Sequence, residues 1–269
     1  MLLPEVEYAR PSSVQEAVGL LSEYEGARPL AGGQTLINVM KARAAAPDVL
    51  VDLQDLDELK AIELAADGTV SVGAMATYSD VIGSAEARAR PILGEVCSQI
   101  ADVQVRNRGT VGGNICSNDP TNHLPPLLVA LGATMTIAAS DRERTVSAEE
   151  FFVGVYQTAA GPGELLTRIS IPAGRGDGFA AVTIGKDGTC IVNVAASVDG
   201  GSSRVVVGCV DAVPVLVRPD SEAEDALRSA VRRAHLQPPS DVHASAEYRR
   251  HLAEVLAGRA IRQAQERRN

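Results

Sequence analysis

Three glycines and a set of short polar side chains crowd into RNRGTVGGNICSNDPTNHLPP, residues 106–126. Gly109, Gly112 and Gly113 free the backbone to turn sharply and to bring its N–H groups close to a ligand, and a helix starting here adds its positive end. That is chemistry suited to a phosphate. A pyrophosphate carries about two negative charges, and charge-assisted hydrogen bonds are worth roughly 1.5–3 kcal/mol each, so three or four backbone donors suffice without a lysine. The Thr110 hydroxyl and the Asn114 amide are further donors. Asp119, a carboxylate that a phosphate repels, suits a sugar hydroxyl or a turn cap equally well. No Lys-Ser or Lys-Thr follows Gly113, and the spaced third glycine and distant acidic residue of a Rossmann unit are absent. Taken alone, the run also fits a plain strand-to-helix turn.

A second glycine stretch, ARPLAGGQTLINVMKAR at residues 27–43, repeats the construction. Pro29 and Leu30 read as a strand end, Gly32 and Gly33 as a tight loop, and Thr35 onward as a helix ending near Ala46. Both runs pass from an apolar lead to Gly-Gly, then to a small polar residue (Gln34 with Thr35, or Asn114), then to a helical apolar pattern. Two such loops can close on one pyrophosphate from opposite sides. The Thr35 hydroxyl joins the candidate donors.

With both loops in place, the sequence resembles the FAD-binding subunits of molybdenum hydroxylases, the group that contains the medium subunit of carbon monoxide dehydrogenase and the flavin part of xanthine dehydrogenase. AGGQT at 31–35 and TVGGN at 110–114 look like that family's two FAD pyrophosphate loops, and QVRNRGTVGG from Gln104 and DPTNHLPPLLVALGA from Asp119 keep its spacing. Leu165 and Leu166 in GELLTRISIP resemble the segment that runs beside the flavin. SAEYRRHLAEVLAGRAIRQA at 245–264 looks like the helical end of the family's C-terminal domain. The resemblance implies an α+β fold: a two-part FAD-binding domain of the PCMH or vanillyl-alcohol-oxidase-like kind, followed by a smaller C-terminal domain of antiparallel sheet and helices. It implies non-covalent FAD held by Ala31, Gly32, Gly33, Gln34, Thr35, Leu36, Thr110, Gly112, Gly113, Asn114, Asp119, His123 and Leu166, with no catalytic residue assigned to this chain. The implied function is electron transfer from molybdenum and iron–sulfur partner subunits, through FAD, to NAD or another acceptor. Alternatives are a stand-alone FAD-dependent oxidoreductase acting on a small molecule and a flavin-binding interaction protein without redox turnover.

The sequence departs from the family at two places. His123 stands where relatives often carry an acidic residue on the sugar part of FAD, which leaves Asp119 or Asn122 for that task. Val182-Thr183 occupies a region where many relatives carry a lysine near the flavin, and Lys186 lies three positions beyond, so no flavin-tuning cation is assigned.

With 269 residues, 45% of them hydrophobic, the chain has ample core material. A net charge of −9 without a long basic run disfavours nucleic acid and anionic membranes, and no apolar run nears the length of a membrane span. A soluble cytoplasmic protein is expected. Cys97, Cys116, Cys190 and Cys209 are scattered singly, without the close pairings of zinc or iron–sulfur ligands, so any cluster belongs to another chain. They read as small buried apolar residues, except that Cys116 falls at an expected helix start, which would lower its pKa. The four histidines form no metal set, and His243 and His251 lie in or near a basic stretch with Arg249 and Arg250 that reads as surface. Arg106 and Arg108 either pair locally or face a partner.

Three parts are expected, at residues 1–57, 58–172 and 173–269. The first opens with a strand, a helix capped by Ser12 or Ser13, and further strands that suggest a parallel unit. The second contains two short strands around Asp67-Gly68, a hairpin dipeptide, and a capped helix start at Ser147 with Glu150 three positions on. Residues 173–178 read as a glycine-containing linker. Beyond them come strands near 179–184, 190–198 and 204–210 and helices near 221–234 and 246–265, which suggests an antiparallel sheet with helices on one face.

Overall fold

A computed structural model describes residues 3–185, 188–199 and 202–268 of the chain. Lys186 lies outside the described residues. The first part is a parallel unit. Strand β1 (Glu7–Ala9) leads through Ser13, whose hydroxyl caps the Glu16 N–H, into helix α1 (Val14–Glu23). Strand β2 (Ala27–Leu30), helix α2 (Leu36–Lys41) and strand β3 (Val49–Asp52) follow, and the strand order β1-β3-β2 is parallel throughout. Ala17, Val18 and Leu21 recur at helical spacing and pack on Val49, Val51 and Leu53. Helix α2 stops at Lys41, five residues short of the expected end near Ala46, because Arg43 adopts φ +61°.

The second part is built on an antiparallel sheet. Strands β4 (Ile62–Leu64) and β5 (Val70–Gly73) form the hairpin predicted at Asp67-Gly68, with Gly68 at φ +84°. Helices α3 (Tyr78–Gly83), α4 (Ile92–Ser98), α5 (Val103–Arg106), α6 (Val111–Ser117) and α7 (Leu124–Ala130) come next. Strands β6 (Thr134–Ala138) and β7 (Glu143–Ser147), helix α8 (Ala148–Phe151), strands β8 (Phe152–Gly154) and β9 (Gln157–Thr158), and strand β10 (Leu165–Ile171) complete it. The sheet order is β4-β5-β10-β6-β7. The capping box at Ser147 and Glu150 is present, and a second one joins Thr77 to Asp80.

The third part carries strands β11 (Gly176–Thr183), β12 (Cys190–Asp199), β13 (Ser202–Gly208) and β14 (Val215–Val217) in an antiparallel sheet of that order, then helices α9 (Glu224–Arg233) and α10 (Ala246–Arg268). The period of two explains how its faces divide. Val194, Ala196, Val205 and Val207 turn to Leu256, Ala260 and Ile261 of α10, whereas Ala195, Val206 and Phe179 join the large core built on Leu127 and Leu128 of α7. Helices therefore cover both faces, one of them supplied by the FAD-loop part.

Two expectations fail here for the same reason. Residues 173–178 are not a linker: Gly176 to Gly178 already belong to β11, and a Cβ on Gly178 would lie 1.9 Å from the Ala260 carbonyl oxygen. Arg249 is not a surface residue. It is 4% exposed, paired to Asp241 at 2.6 Å, and it donates to the carbonyls of Ile191 and Cys209. Composition registers glycine as flexible and arginine as exposed, while tertiary packing uses the first for close approach and the second as a buried tie.

Candidate functional site

The first glycine loop leaves β2 at Leu30 and enters α2 at Leu36. Gly33 sits at φ +71°, the left-handed region that a side chain disfavours. Gly32 is tight for a different reason, since a Cβ there would lie 2.0 Å from the Arg108 carbonyl oxygen and 2.9 Å from Gly109 Cα. The two predicted loops thus touch, backbone to backbone. Among the described residues, the N–H groups of Gly32, Gly33, Gln34 and Thr35 donate to no other backbone carbonyl. Three of the loop's carbonyls are engaged: Gln34 Nε2 donates to Gly32 O at 3.1 Å, Asn38 Nδ2 to Gln34 O at 2.7 Å, and Ile37 N to Gly33 O at 3.3 Å. Thr35 makes no side-chain cap bond.

Of these residues Gly32, Gly33 and Gln34 line a cleft of about 320 Å³, together with Ala31, Asn38, Lys41, Asp52 and Arg108. Asp52 is the acid in it, and its carboxylate is occupied, accepting from the Tyr8 hydroxyl and from Gln54 N. That contact raises the Tyr8 pKa, chiefly because the hydroxyl donates its proton to the Asp52 carboxylate. Arg108 is exposed and lines the cleft, whereas the Arg106 guanidinium donates to the Ile100 and Ala101 carbonyls.

The second loop corrects the simple backbone-cradle picture. Val111 N donates to Ala76 O, Gly112 N to Ala74 O, Gly113 N to the Thr110 hydroxyl and Asn114 N to Thr110 O. All four amides at the start of α6 are taken by the protein itself. Gly112 is a packing glycine, because a Cβ would fall 2.5 Å from Ala74 O, and Gly113 makes room for the Thr110 cap. Thr110 is 3% exposed. The second loop supplies the wall and the first supplies the donors. Leu166, 2% exposed, sits in the core, and the neighbouring bulge places Thr167 O on Ala74 N at 3.0 Å, directly beneath Gly112.

Beyond α6 the chain turns at Asn118 (φ +39°), whose amide donates to Gly154 O and Gln157 O. Asp119 acts as a turn cap, accepting from Thr121 N and Oγ1, and its other oxygen accepts from the Tyr156 hydroxyl at 3.2 Å. Asn122 donates to Asn114 O and accepts at its carbonyl from Asn193 of β12, joining the site to the third part. His123 is 6% exposed and its ring packs against Phe179 with centroids 5.4 Å apart. Burial pulls its pKa down to about 4, against a weaker opposing hydrogen bond with the Thr121 backbone, so it is a neutral imidazole at neutral pH. Among the described residues, Asn114 Oδ1 and His123 Nε2 are buried and have no hydrogen-bond partner. Hydroxyl donors, which the sugar portions of FAD carry, would satisfy them.

Cys116 departs from expectation. It lies next to last in α6 rather than at a helix start, and burial pushes its thiol up to about 12. Lys41 and Asn38 are lining residues that the sequence reading did not select. The signal was present, since Asn38 and Lys41 are three positions apart on α2 and so share one face. Among the described residues no group of three His, Cys, Asp or Glu side chains is placed to hold a metal, and no helix is long and apolar enough to cross a membrane.

Residues 4–174 match the FAD binding domain in molybdopterin dehydrogenase, and residues 179–264 match the CO dehydrogenase flavoprotein C-terminal domain. The chain belongs to the FAD-binding medium subunits of molybdenum hydroxylases. It is 38% identical to the carbon monoxide dehydrogenase medium chain of Afipia carboxidovorans, over 97% of each chain. It is 34% identical to the nicotine 6-hydroxylase medium subunit of Paenarthrobacter nicotinovorans, over 97% of this chain and 98% of that one. Among solved structures, a chain of quinoline 2-oxidoreductase from Pseudomonas putida superposes with a TM-score of 0.92 at 34% identity, covering all of both chains. The cofactor of this medium-subunit family is FAD, and the donors, close glycine approach and unpaired buried acceptors described above fit it.

Proposed function

We propose that this chain is the electron-transfer flavoprotein of a molybdenum hydroxylase complex, working beside an iron–sulfur chain and a molybdopterin-binding large chain. FAD, when bound, supplies the capacity to accept and release electrons. The protein's own part is to bind and orient. Gly32, Gly33, Gln34 and Thr35 offer N–H groups to the pyrophosphate, with Ala31 and Leu36 shaping the loop. Thr110, Gly112 and Gly113 build the facing wall, and Asn114 and His123 accept from sugar hydroxyls. Asp119 holds the turn between them, and Leu166 backs the wall from the core. Residues 1–57 and 58–172 form the two FAD-binding subdomains, and residues 173–269 close over them as the C-terminal domain. NAD or another molecule is the electron acceptor, and the complex works in the cytoplasm.

The observation that carries this reading is the contact of Gly32 with the Arg108–Gly109 backbone, which makes two distant glycine loops the two sides of a single cleft. The test is anaerobic bleaching of the flavin absorbance. Reduction should require the iron–sulfur and molybdenum partner chains together with a hydroxylase substrate. Rapid bleaching by a small molecule with this chain alone would replace the reading with a stand-alone oxidoreductase.

A further inference from the structure

Lys41 and Arg108 come from different parts of the chain, one from the last turn of α2 and one from the turn after α5, yet both line the cleft at the first glycine loop. Both are exposed. Among the described residues neither has an ion-pair partner, in a protein whose other cleft-side charge, Asp52, is engaged by Tyr8 and Gln54. Elsewhere the arginines are heavily paired, as Arg90, Arg144, Arg232, Arg249 and Arg267 illustrate. In a chain of net charge −9, two unpaired cations beside four unused N–H groups form a local reversal of sign. The second loop cannot contribute free amides from Val111 to Asn114, so the neutralisation that its helix start was expected to supply has to come from elsewhere.

We propose that Lys41 and Arg108 form a cationic clamp for the diphosphate of the dinucleotide, spanning the two subdomains across the first loop. The clamp rests on the FAD reading and deepens it. A diphosphate offers several anionic oxygens, more than four N–H groups on one side of a cleft can surround, and two side-chain cations from opposite walls complete the set. Lys41 acts as a mobile point charge and Arg108 as a fork, so their substitutions are not equivalent. The two charges come from different subdomains that already touch at Gly32, and ADP should engage them as FAD does.

The experiment titrates the apo chain with FAD, ADP and FMN by calorimetry or flavin fluorescence, at several salt concentrations. Lys41→Ala and Arg108→Ala should each weaken FAD and ADP by about tenfold, with a shallower salt dependence than wild type, because one screened attraction has been removed. FMN, which has no diphosphate, should bind no differently to the variants than to wild type. Lys41→Arg should restore most of the affinity, and Arg218→Ala, remote from the cleft, should change nothing. Variants that bind FAD and ADP with wild-type affinity and wild-type salt dependence would overturn the clamp while leaving the FAD reading intact. A wild-type chain that takes up no FAD would remove the reading itself.

Discussion

Gly32 shows what one absent carbon does. Its hydrogen faces the Arg108 carbonyl where a methyl would sit 2.0 Å away, so Gly32→Ala must push the first loop off the second. We expect FAD affinity to fall by at least about tenfold, or about 1.4 kcal/mol, with the far-ultraviolet spectrum unchanged. Flavin fluorescence titration reads the first and circular dichroism the second, and unchanged affinity would contradict the two-walled cleft. At His123 the quantity is a proton. The folded pKa of about 4 lies below the unfolded value of 6.5, so the unfolded chain binds more protons between those values. The stability conferred by the neutral ring is present above pH 6.5 and is lost as pH falls through about 4, an effect on the order of 3 kcal/mol. Urea unfolding of wild type and His123→Gln at pH 7.5 and 4.5 should show the wild type losing more, and parallel losses would refute the assignment. At this scale Gly32 and Gly33 were legible in the sequence because Gly-Gly ahead of a helical pattern is local. For Lys41 the helix face was legible too, but not its unpaired state, which depends on what every other residue near it is doing.

Among the elements, β11 and α10 are pressed together by missing side chains. Gly178 faces the Ala260 carbonyl, and α10 presents Ala253, Ala257, Ala260 and Ala264 to the sheet. Gly178→Ala should cost about 1–3 kcal/mol or more through overpacking. Gly19→Ala, exposed in α1 with nothing within 4 Å of the new carbon, should stabilise by roughly 0.5–1 kcal/mol. Chemical denaturation of the two variants gives opposite signs if this is right; two losses or two gains would contradict it. The contrast also explains which elements were readable in advance. The Asp67-Gly68 hairpin and the Ser147–Glu150 capping box are fixed by neighbours within a few residues, and both were expected. Gly178 has its partner 82 positions away at Ala260, beyond the reach of local pattern, and so it passed for a linker. Strand β14 was missed for a related reason, since three residues carry too short an alternation to read.

Over the whole molecule, the FAD-loop part and the C-terminal part are joined by a buried ion pair. Arg90 and Asp177 are 3% and 2% exposed, Arg90 Nε and Nη2 reach Asp177 at 2.8 and 2.9 Å, and the same guanidinium bonds Ser197 and the Pro172 carbonyl. Asp177→Asn strands a buried cation and should cost about 3–5 kcal/mol. Because the pair spans the junction, the loss should also separate unfolding into two steps where the wild type has one. Calorimetry of Asp177→Asn beside the double variant Arg90→Leu/Asp177→Leu tests this, since an apolar pair of similar volume should recover much of the loss. A single variant as stable as wild type would show that the junction does not depend on the pair. The sequence conveyed three successive parts and an antiparallel third sheet. It did not convey that α7 covers the second face of that sheet, since neither face's partner is near it in the chain.

Arg267, near the end of α10, donates to the Glu95 carboxylate on α4, 172 residues earlier, and to the Asp177 carbonyl. At a ribosomal pace of about 5–20 residues per second, roughly 10–30 s separate the emergence of the two partners. Within that interval α7 is made before β12 and β13, the strands that will cover it. The nascent chain is therefore born with an open apolar wall beside its cofactor loops, and the stitch from Arg267 to Glu95 follows only after the covering strands. A pause in translation past residue 178 lengthens that exposure, and chaperones have their longest opportunity to engage the chain there.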